Sequence, residues 1–334
     1  MQINDPKFSQ EDLEEIYYSL QLYNTSLLKY CYILEAHKWI FFSKVETSKE
    51  SVKSLEIQLL NTVVKSLFEK NYLDPSKKSN TALSIIDLGV GDAQNIIQIL
   101  KCMDFYVKNY KFKNVLSYCN LYLIDISSEM LTFAKNSVES KFPLIDLKTL
   151  HLDFNSNAIN NIEEYFSVEN SDKRWFFLLG STLGNFTHQV TLLKNISSIM
   201  KKNDSLIIGV ELYQEESLEQ TIAHYKTIEN YNFDIALLKY LGFKDEDGKF
   251  EIIFENRTII SKIKFLNDVR LTVNDKFLTF KRGDLVTLCK SKKFTQEELV
   301  KICQESGLKV ENIHLGKFKN SSSANYCLLE VSLK

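Results

Sequence analysis

The chain has 334 residues, the length of about two domains at roughly 150 residues each. With 44% hydrophobic and 25% charged residues it has enough apolar surface to order most of its length, which excludes extensive disorder. The 41 basic residues against 43 acidic ones leave a net charge of -2, so no basic excess points to nucleic acid, and no apolar run approaches the roughly 20 residues of a membrane helix.

Residues 7 to about 72 read as helical, with apolar residues at helical spacing in Leu13, Ile16, Tyr17 and Leu20 and again from Leu55 to Phe68. Asp74-Pro75-Ser76-Lys77-Lys78 breaks the pattern as a linker. Short apolar runs then alternate with helical segments. Leu83 to Leu88 is a buried strand ending in Gly89-Val90-Gly91, and Ala93 to Met103 is a helix. Leu121 to Asp125 is a second strand, followed by a helix from Ser128, its N-cap, to Val138. Leu147 to Leu152, Trp175 to Leu179 and Ser205 to Leu212 are further strands. This alternation implies a parallel sheet with helices on both faces. Residues 214 to 242 read as helical, and 250 to 281 as two or three antiparallel strands. A capping box at Thr295 opens a helix that Gly307 ends, and strands near 309–317 and 326–333 close the chain. Residues 213–292 form an insertion expected to pack on the N-terminal helices.

Six scattered cysteines without a CxxC pair exclude a disulfide framework or zinc site, and no metal is expected. Met1-Gln2-Ile3-Asn4-Asp5-Pro6 has no basic or apolar leader pattern, so a cytoplasmic location is expected.

Three positions carry a ligand signature. Asp87-Leu88-Gly89-Val90-Gly91-Asp92 ends a strand before a helix, where glycines turn the backbone tightly and let a ligand approach. The third glycine of the dinucleotide fingerprint is missing, which argues against NAD or FAD. Asp125 ends the next strand, where a carboxylate accepts both ribose hydroxyls. Asp153-Phe154 follows the third strand and offers an acceptor for an exocyclic amine with a ring that stacks on adenine. At successive strand ends, these residues form the pattern of a class I S-adenosylmethionine (SAM) methyltransferase.

The most specific segment is Phe177-Leu178-Leu179-Gly180-Ser181-Thr182-Leu183-Gly184-Asn185-Phe186. It resembles the L-histidine Nα-methyltransferases of ergothioneine biosynthesis and their relatives that N-methylate tryptophan derivatives. The similarity runs from about residue 82 onward, through Lys202-Asn203-Asp204-Ser205-Leu206 and Lys293-Phe294. The resemblance implies an α/β fold, a Rossmann-like class I SAM methyltransferase sheet (residues 61–212 and 293–334) with a second α+β substrate domain (1–60 and 213–292). It implies SAM as cofactor, held by Gly89, Asp125, Asp153 and Phe154, with Gly91, Asn95 and Gly180 as further cofactor-binding candidates. It places Asn185, Tyr225 and Tyr32 as catalytic and substrate-orienting residues, with Cys289 and Ser291 lining the substrate pocket.

Three departures are visible. The family's aromatic-proline-threonine-arginine segment is replaced at residues 46–54, and Asn95 stands where the family has a SAM-contacting lysine. Histidine-specific members use a glutamate and a serine two residues apart to hold the imidazole. Here the serine is Ser291 and the glutamate position is Cys289, which implies a histidine-like acceptor other than histidine itself. Lys290, Lys292 and Lys293 read as a solvated face. The expected partner is a small-molecule amine or amino acid, with neither nucleic acid nor membrane, and the chain is expected to be a monomer or weak dimer. Two alternatives are a protein or peptide acceptor and a non-catalytic SAM-binding scaffold.

Overall fold

The structure, a computed structural model, describes residues 7–45, 51–72, 83–109, 119–156 and 173–334, together with residues 158, 159, 162, 164 and 166. In chain order its helices and strands are α1 (Gln10–Gln21), α2 (Leu28–Leu34), α3 (Ala36–Val45), α4 (Val52–Tyr72), β1 (Leu83–Leu88), α5 (Gln94–Asn109), β2 (Cys119–Asp125), α6 (Ser128–Glu139), β3 (Asp146–His151), β4 (Lys173–Leu178), α7 (Gln189–Ser198) and β5 (Ser205–Glu211). The later part holds α8 (Leu218–Tyr225), α9 (Ile228–Asp234), α10 (Ala236–Tyr240), β6 (Gly248–Glu255), β7 (Thr258–Phe265), β8 (Val269–Val273), β9 (Lys276–Phe280), β10 (Leu285–Lys292), α11 (Gln296–Glu305), β11 (Leu308–Gly316) and β12 (Tyr326–Leu333). The linker expected at 74–78 lies outside the described residues.

The chain divides into two compact units: the described residues up to Phe42 with Glu215–Lys293, and those of Ser43–Gln214 with Phe294–Lys334. The boundary expected at residue 60 falls inside α4, which packs on α5, β11 and β12 and so belongs with the large sheet.

That sheet has seven strands in the order β11-β12-β5-β4-β1-β2-β3. β1 to β5 run parallel, while β12 is antiparallel to both β5 and β11. All six residues of β1 are buried, as expected for a parallel strand covered on both faces. One face packs against α4, α5 and α6 through Leu60, Val63, Ile96, Leu100 and Leu131. The other packs against α7 and α11 through Leu192, Ile196, Leu299 and Ile302. At the start of β4, buried Arg174 holds Asp204 through Nε at 2.9 Å and the Ile199 carbonyl through Nη2 at 2.7 Å.

The N-cap of α6 is Ser127, not Ser128: its hydroxyl accepts from the Met130 N–H at 3.3 Å. The reason is geometric, since the cap must keep extended backbone, which Ser127 has while Ser128 is already helical. Thr295 caps α11 as expected, accepting from the Glu298 N–H, and Gly307 (φ +77) follows its end.

In the other unit, α1 lies on β8 and β9, and α2 on α9, α10 and β10. The stretch expected to hold two or three strands holds four, because Asn274 and Asp275 both take left-handed backbone and close a separate β8–β9 hairpin. β10, β7 and β6 form a three-stranded sheet. Among the described residues, no helix is long and apolar enough to cross a membrane.

Candidate active site

The C-terminal ends of β1 to β4 carry the sequence-expected cofactor residues. After β1 the chain turns through Gly89 (φ +82), Gly91 (φ +51) and Ala93 (φ +60) into α5. The N–H of Gly89 donates to the Ile124 carbonyl at 2.8 Å, and that of Gly91 to Asp125 Oδ2 at 3.1 Å. Asp125 Oδ1 accepts from the Ser127 N–H at 2.9 Å. Burial raises the Asp125 pKa, and these N–H donors pull it back down. Each of its oxygens keeps acceptor capacity for a further donor. A side chain built on Gly89 would meet the ring of Phe154 and the methyl of Thr182 at an ordinary 3.7 Å, so the left-handed backbone, not crowding, calls for glycine where the β1 end faces those two groups. Phe154 is buried and packs on Phe186 at 5.7 Å, and Asp153 beside it accepts from the Asn155 N–H at 2.9 Å. Asp87, at the end of β1, is buried. Burial, with Glu56, Asp125 and Asp92 nearby, raises its pKa to about 8.

The segment after β4 turns sharply through two successive left-handed residues, Gly180 (φ +67) and Ser181 (φ +59). Ser181 stabilises this uncommon backbone twice: its N–H donates to the Gly209 carbonyl at 3.1 Å, and its hydroxyl accepts from the Glu211 N–H at 3.0 Å. A short 3-10 helix, Thr182–Asn185, follows. Asn185 ends it half-buried, and among the described residues its amide has no hydrogen-bond partner.

Sequence reasoning missed the residue that ties this region together, Glu56 on α4. It is 2% exposed, and its carboxylate accepts from the Gly180 N–H at 2.8 Å, from Asn95 Nδ2 at 2.8 Å and from the Tyr326 hydroxyl. Gly180, expected to help hold the cofactor, therefore has its N–H taken by Glu56. A Cβ on Gly209 of β5 would come within 2.6 Å of both Glu56 Oε1 and the Tyr326 hydroxyl, so only glycine fits beneath them. Lys53, one turn before Glu56, pairs with Asp92, which also accepts from the Ser43 hydroxyl at 2.7 Å. The available signal was an acid in the same helical stripe as Leu60, Val63 and Leu67, where an apolar residue belongs.

In the second unit the structure joins two of the expected substrate residues. The Tyr225 hydroxyl donates to Ser291 Oγ at 2.8 Å, and Lys293 Nζ donates to the Tyr225 oxygen at 3.1 Å. Lys293 is 3% exposed, which corrects its reading as part of a solvated face: it lies buried with its ammonium 5.3 Å from the Tyr225 ring centre. Lys290 and Lys292 are half-buried. Cys289 is buried, pairs in register with Ser261 of β7, and has a thiol pKa raised well above normal, chiefly by burial and then by Asp234 and Cys31. Tyr32 lies in an aromatic trio, 5.2 Å from Trp39 and 5.3 Å from Phe233. A cavity of about 430 Å³ adjoins the trio, lined by Trp39, Phe41, Phe233, Glu229, Asn230 and Asn232 among others. Among the described residues no cluster of side chains suits a metal ion.

The sheet order, the glycine turn beside Phe154 and the buried Asp125 at the neighbouring strand end define a class I SAM-dependent methyltransferase, whose cofactor these residues fit. A family model described as histidine-specific methyltransferase, SAM-dependent, matches residues 46–324, and the chain belongs to that family. Among solved structures it is similar to an S-adenosylmethionine-dependent methyltransferase from Clostridium acetobutylicum (14% identity, 97% of this chain and 98% of that one, TM-score 0.42). It is also similar to magnesium protoporphyrin IX methyltransferase from Synechocystis with bound SAH (11% identity, 91% and 97%, TM-score 0.45). A third is the glycopeptide N-methyltransferase MtfA complexed with SAM (8% identity, 82% and 94%, TM-score 0.41). Among curated proteins none matches the chain.

Proposed function

We propose that this enzyme methylates the amino nitrogen of a small amino acid or amine, histidine-like at its backbone end but different in its side chain. The observation that carries the reading is the Tyr225–Ser291 hydrogen bond, which brings together two positions that the family resemblance assigns to the acceptor. Family membership supports the same class of substrate.

SAM, when bound, supplies a methyl group on a sulfonium centre that an amine lone pair can displace. Asp125 would hold the ribose, and Asp153 with Phe154 the adenine, while the turn at Gly89 and Gly91 lets the backbone come close. Gly180 would contribute through its fold, since its N–H already serves Glu56. The acceptor must arrive as the free base, because an ammonium has no lone pair. By the family resemblance Asn185, Tyr225 and Tyr32 are the positions that would offer it hydrogen bonds, and its proton would leave to solvent. The task is mainly positioning and exclusion of water, since the reaction moves charge without creating it.

Cys289 argues for the side-chain preference. A carboxylate there would give an imidazole N–H a charge-assisted hydrogen bond of about 1.5–3 kcal/mol. The buried thiol of Cys289 stays neutral and offers only a weak partner. The aromatic lining of the cavity beside Tyr32 favours a less polar group.

The test is mass spectrometry of the purified protein with SAM and a panel of L-histidine, aromatic amino acids and simple amines. Methyl transfer to an amino group other than that of histidine is expected. Efficient trimethylation of histidine would overturn the side-chain reading. Methyl transfer confined to peptides would overturn the small-molecule reading, and cofactor binding without turnover on any amine would leave a non-catalytic scaffold.

A further inference from the structure

Glu56 constrains more than the course of a loop. A carboxylate has no hydrogen to donate, so Asn95 must turn its NH2 toward Glu56 and its carbonyl oxygen the other way. Among the described residues that oxygen, Oδ1, is buried and has no hydrogen-bond partner. Asn95 is the second residue of α5, directly after the glycine turn, and Gly180 ends the segment that leaves β4. In the sheet the order runs β4-β1-β2-β3. With adenine assigned to the end of β3 and ribose to the end of β2, the next step along the sheet puts the amino-acid arm of the cofactor at β1 and β4. The carboxylates of Asp92, Asp125 and Glu56 lie there with the ammonium of Lys53, a surplus of negative charge that suits a cation, while burial holds the Asp87 carboxyl largely protonated.

We propose that Glu56 is a positioning residue for the cofactor: it locks the Asn95 amide so that Oδ1 accepts a hydrogen bond from the α-ammonium of SAM. This deepens the cofactor reading above and rests on it. Glu56 itself touches no reacting atom. It sets the polarity of the group that does the binding, and the same carboxylate holds Gly180 through its N–H, so the two recognition elements are fixed together.

Titration calorimetry with two ligands tests this. S-adenosylhomocysteine carries the α-ammonium; 5′-methylthioadenosine shares its adenine, ribose and thioether sulfur but lacks the amino-acid arm. In Glu56→Gln the carbonyl oxygen of glutamine still accepts from Gly180 and Tyr326, while its NH2 now faces Asn95. The Asn95 amide then flips to accept and turns its own NH2 toward the ligand. Affinity for S-adenosylhomocysteine is expected to fall about tenfold or more, with that for methylthioadenosine unchanged. In the double variant Glu56→Gln/Asn95→Asp, the aspartate accepts from the glutamine and presents an oxygen outward again, so S-adenosylhomocysteine affinity returns to within about threefold of wild type. In steady state, KM for SAM rises in the single variant while kcat holds. Equal weakening of both ligands in the single variant, or no recovery in a double variant with unchanged melting temperature, overturns the proposal. A wild-type protein that binds neither ligand sinks the cofactor reading instead.

Discussion

The two compact units treat buried carboxyl groups in opposite ways. In the sheet unit, Glu56 and Asp125 are surrounded by donors: two backbone N–H groups for Asp125, and a backbone N–H, an amide and a phenol for Glu56. Burial raises both pKa values and the donors lower them again. In the second unit, Asp234 is buried at the end of α9 among apolar residues, and its pKa is raised to about 7. The nearby Ser261 hydroxyl lowers it only in part, and among the described residues that hydroxyl completes no hydrogen bond. The contrast teaches that a buried acid is not one kind of object. Ringed by donors, it is a fixed acceptor that shapes a binding loop. Left in an apolar core, it becomes a proton-linked control on stability.

Five substitutions break or sharpen that contrast. Asn185→Ala is expected to lower kcat/KM for the acceptor by about a hundredfold or more while cofactor affinity stays within about threefold, because only the acceptor loses a partner. Unchanged turnover in kinetic assays would remove Asn185 from the site. Asp234→Asn is expected to act on stability alone. The folded-state pKa of Asp234 lies above its unfolded value, so protonation favours the fold; that stabilisation is complete below the ordinary carboxylate range and is lost as pH rises through about 7. The variant should therefore gain up to about 4 kcal/mol over wild type at about pH 8 and nothing near about pH 4, read from denaturant melts at both values. A pH-independent difference would show that the carboxyl is not the titrating group. Tyr225→Phe removes the hydroxyl shared by Ser291 and Lys293, and acceptor KM should rise about tenfold with cofactor affinity unmoved, as calorimetry would reveal. Ser127→Ala deletes the cap of α6 and should cost about 1 kcal/mol, against a few tenths for Ser128→Ala. Equal costs in thermal unfolding would contradict the cap assignment.

Much of the sheet unit was legible because its chemistry is local. Asp87 to Asp92 already carried the glycine turn, Leu83 to Leu88 a strand buried on both faces, and the segment from Phe177 to Phe186 the family. What escaped was long-range. Glu56 meets Gly180 across 124 positions and Tyr326 across 270, and its own surroundings look like any amphipathic helix. Lys293 followed two other lysines and so read as surface, although the chain leaving β10 buries it. The β8–β9 hairpin was hidden because its turn residues, Asn274 and Asp275, also suit an ordinary loop. In the second unit the Tyr225–Ser291 contact spans 66 positions, and only the resemblance pointed to both ends.

Gly209 lies in the middle of β5, where a glycine weakens a strand and a β-branched residue would be the ordinary choice. Because Glu56 and Tyr326 occupy the space its side chain would need, these three positions are bound to one another in any divergent copy of this sequence. A copy that replaces the acid on α4 with a smaller residue frees position 209 to vary. A copy that places a side chain at 209 must have shifted both the acid and the Tyr326 hydroxyl. The glycine therefore serves as a marker of the carboxylate 153 positions earlier in the chain, and scanning divergent chains for that covariation would date the acid's arrival relative to the fold.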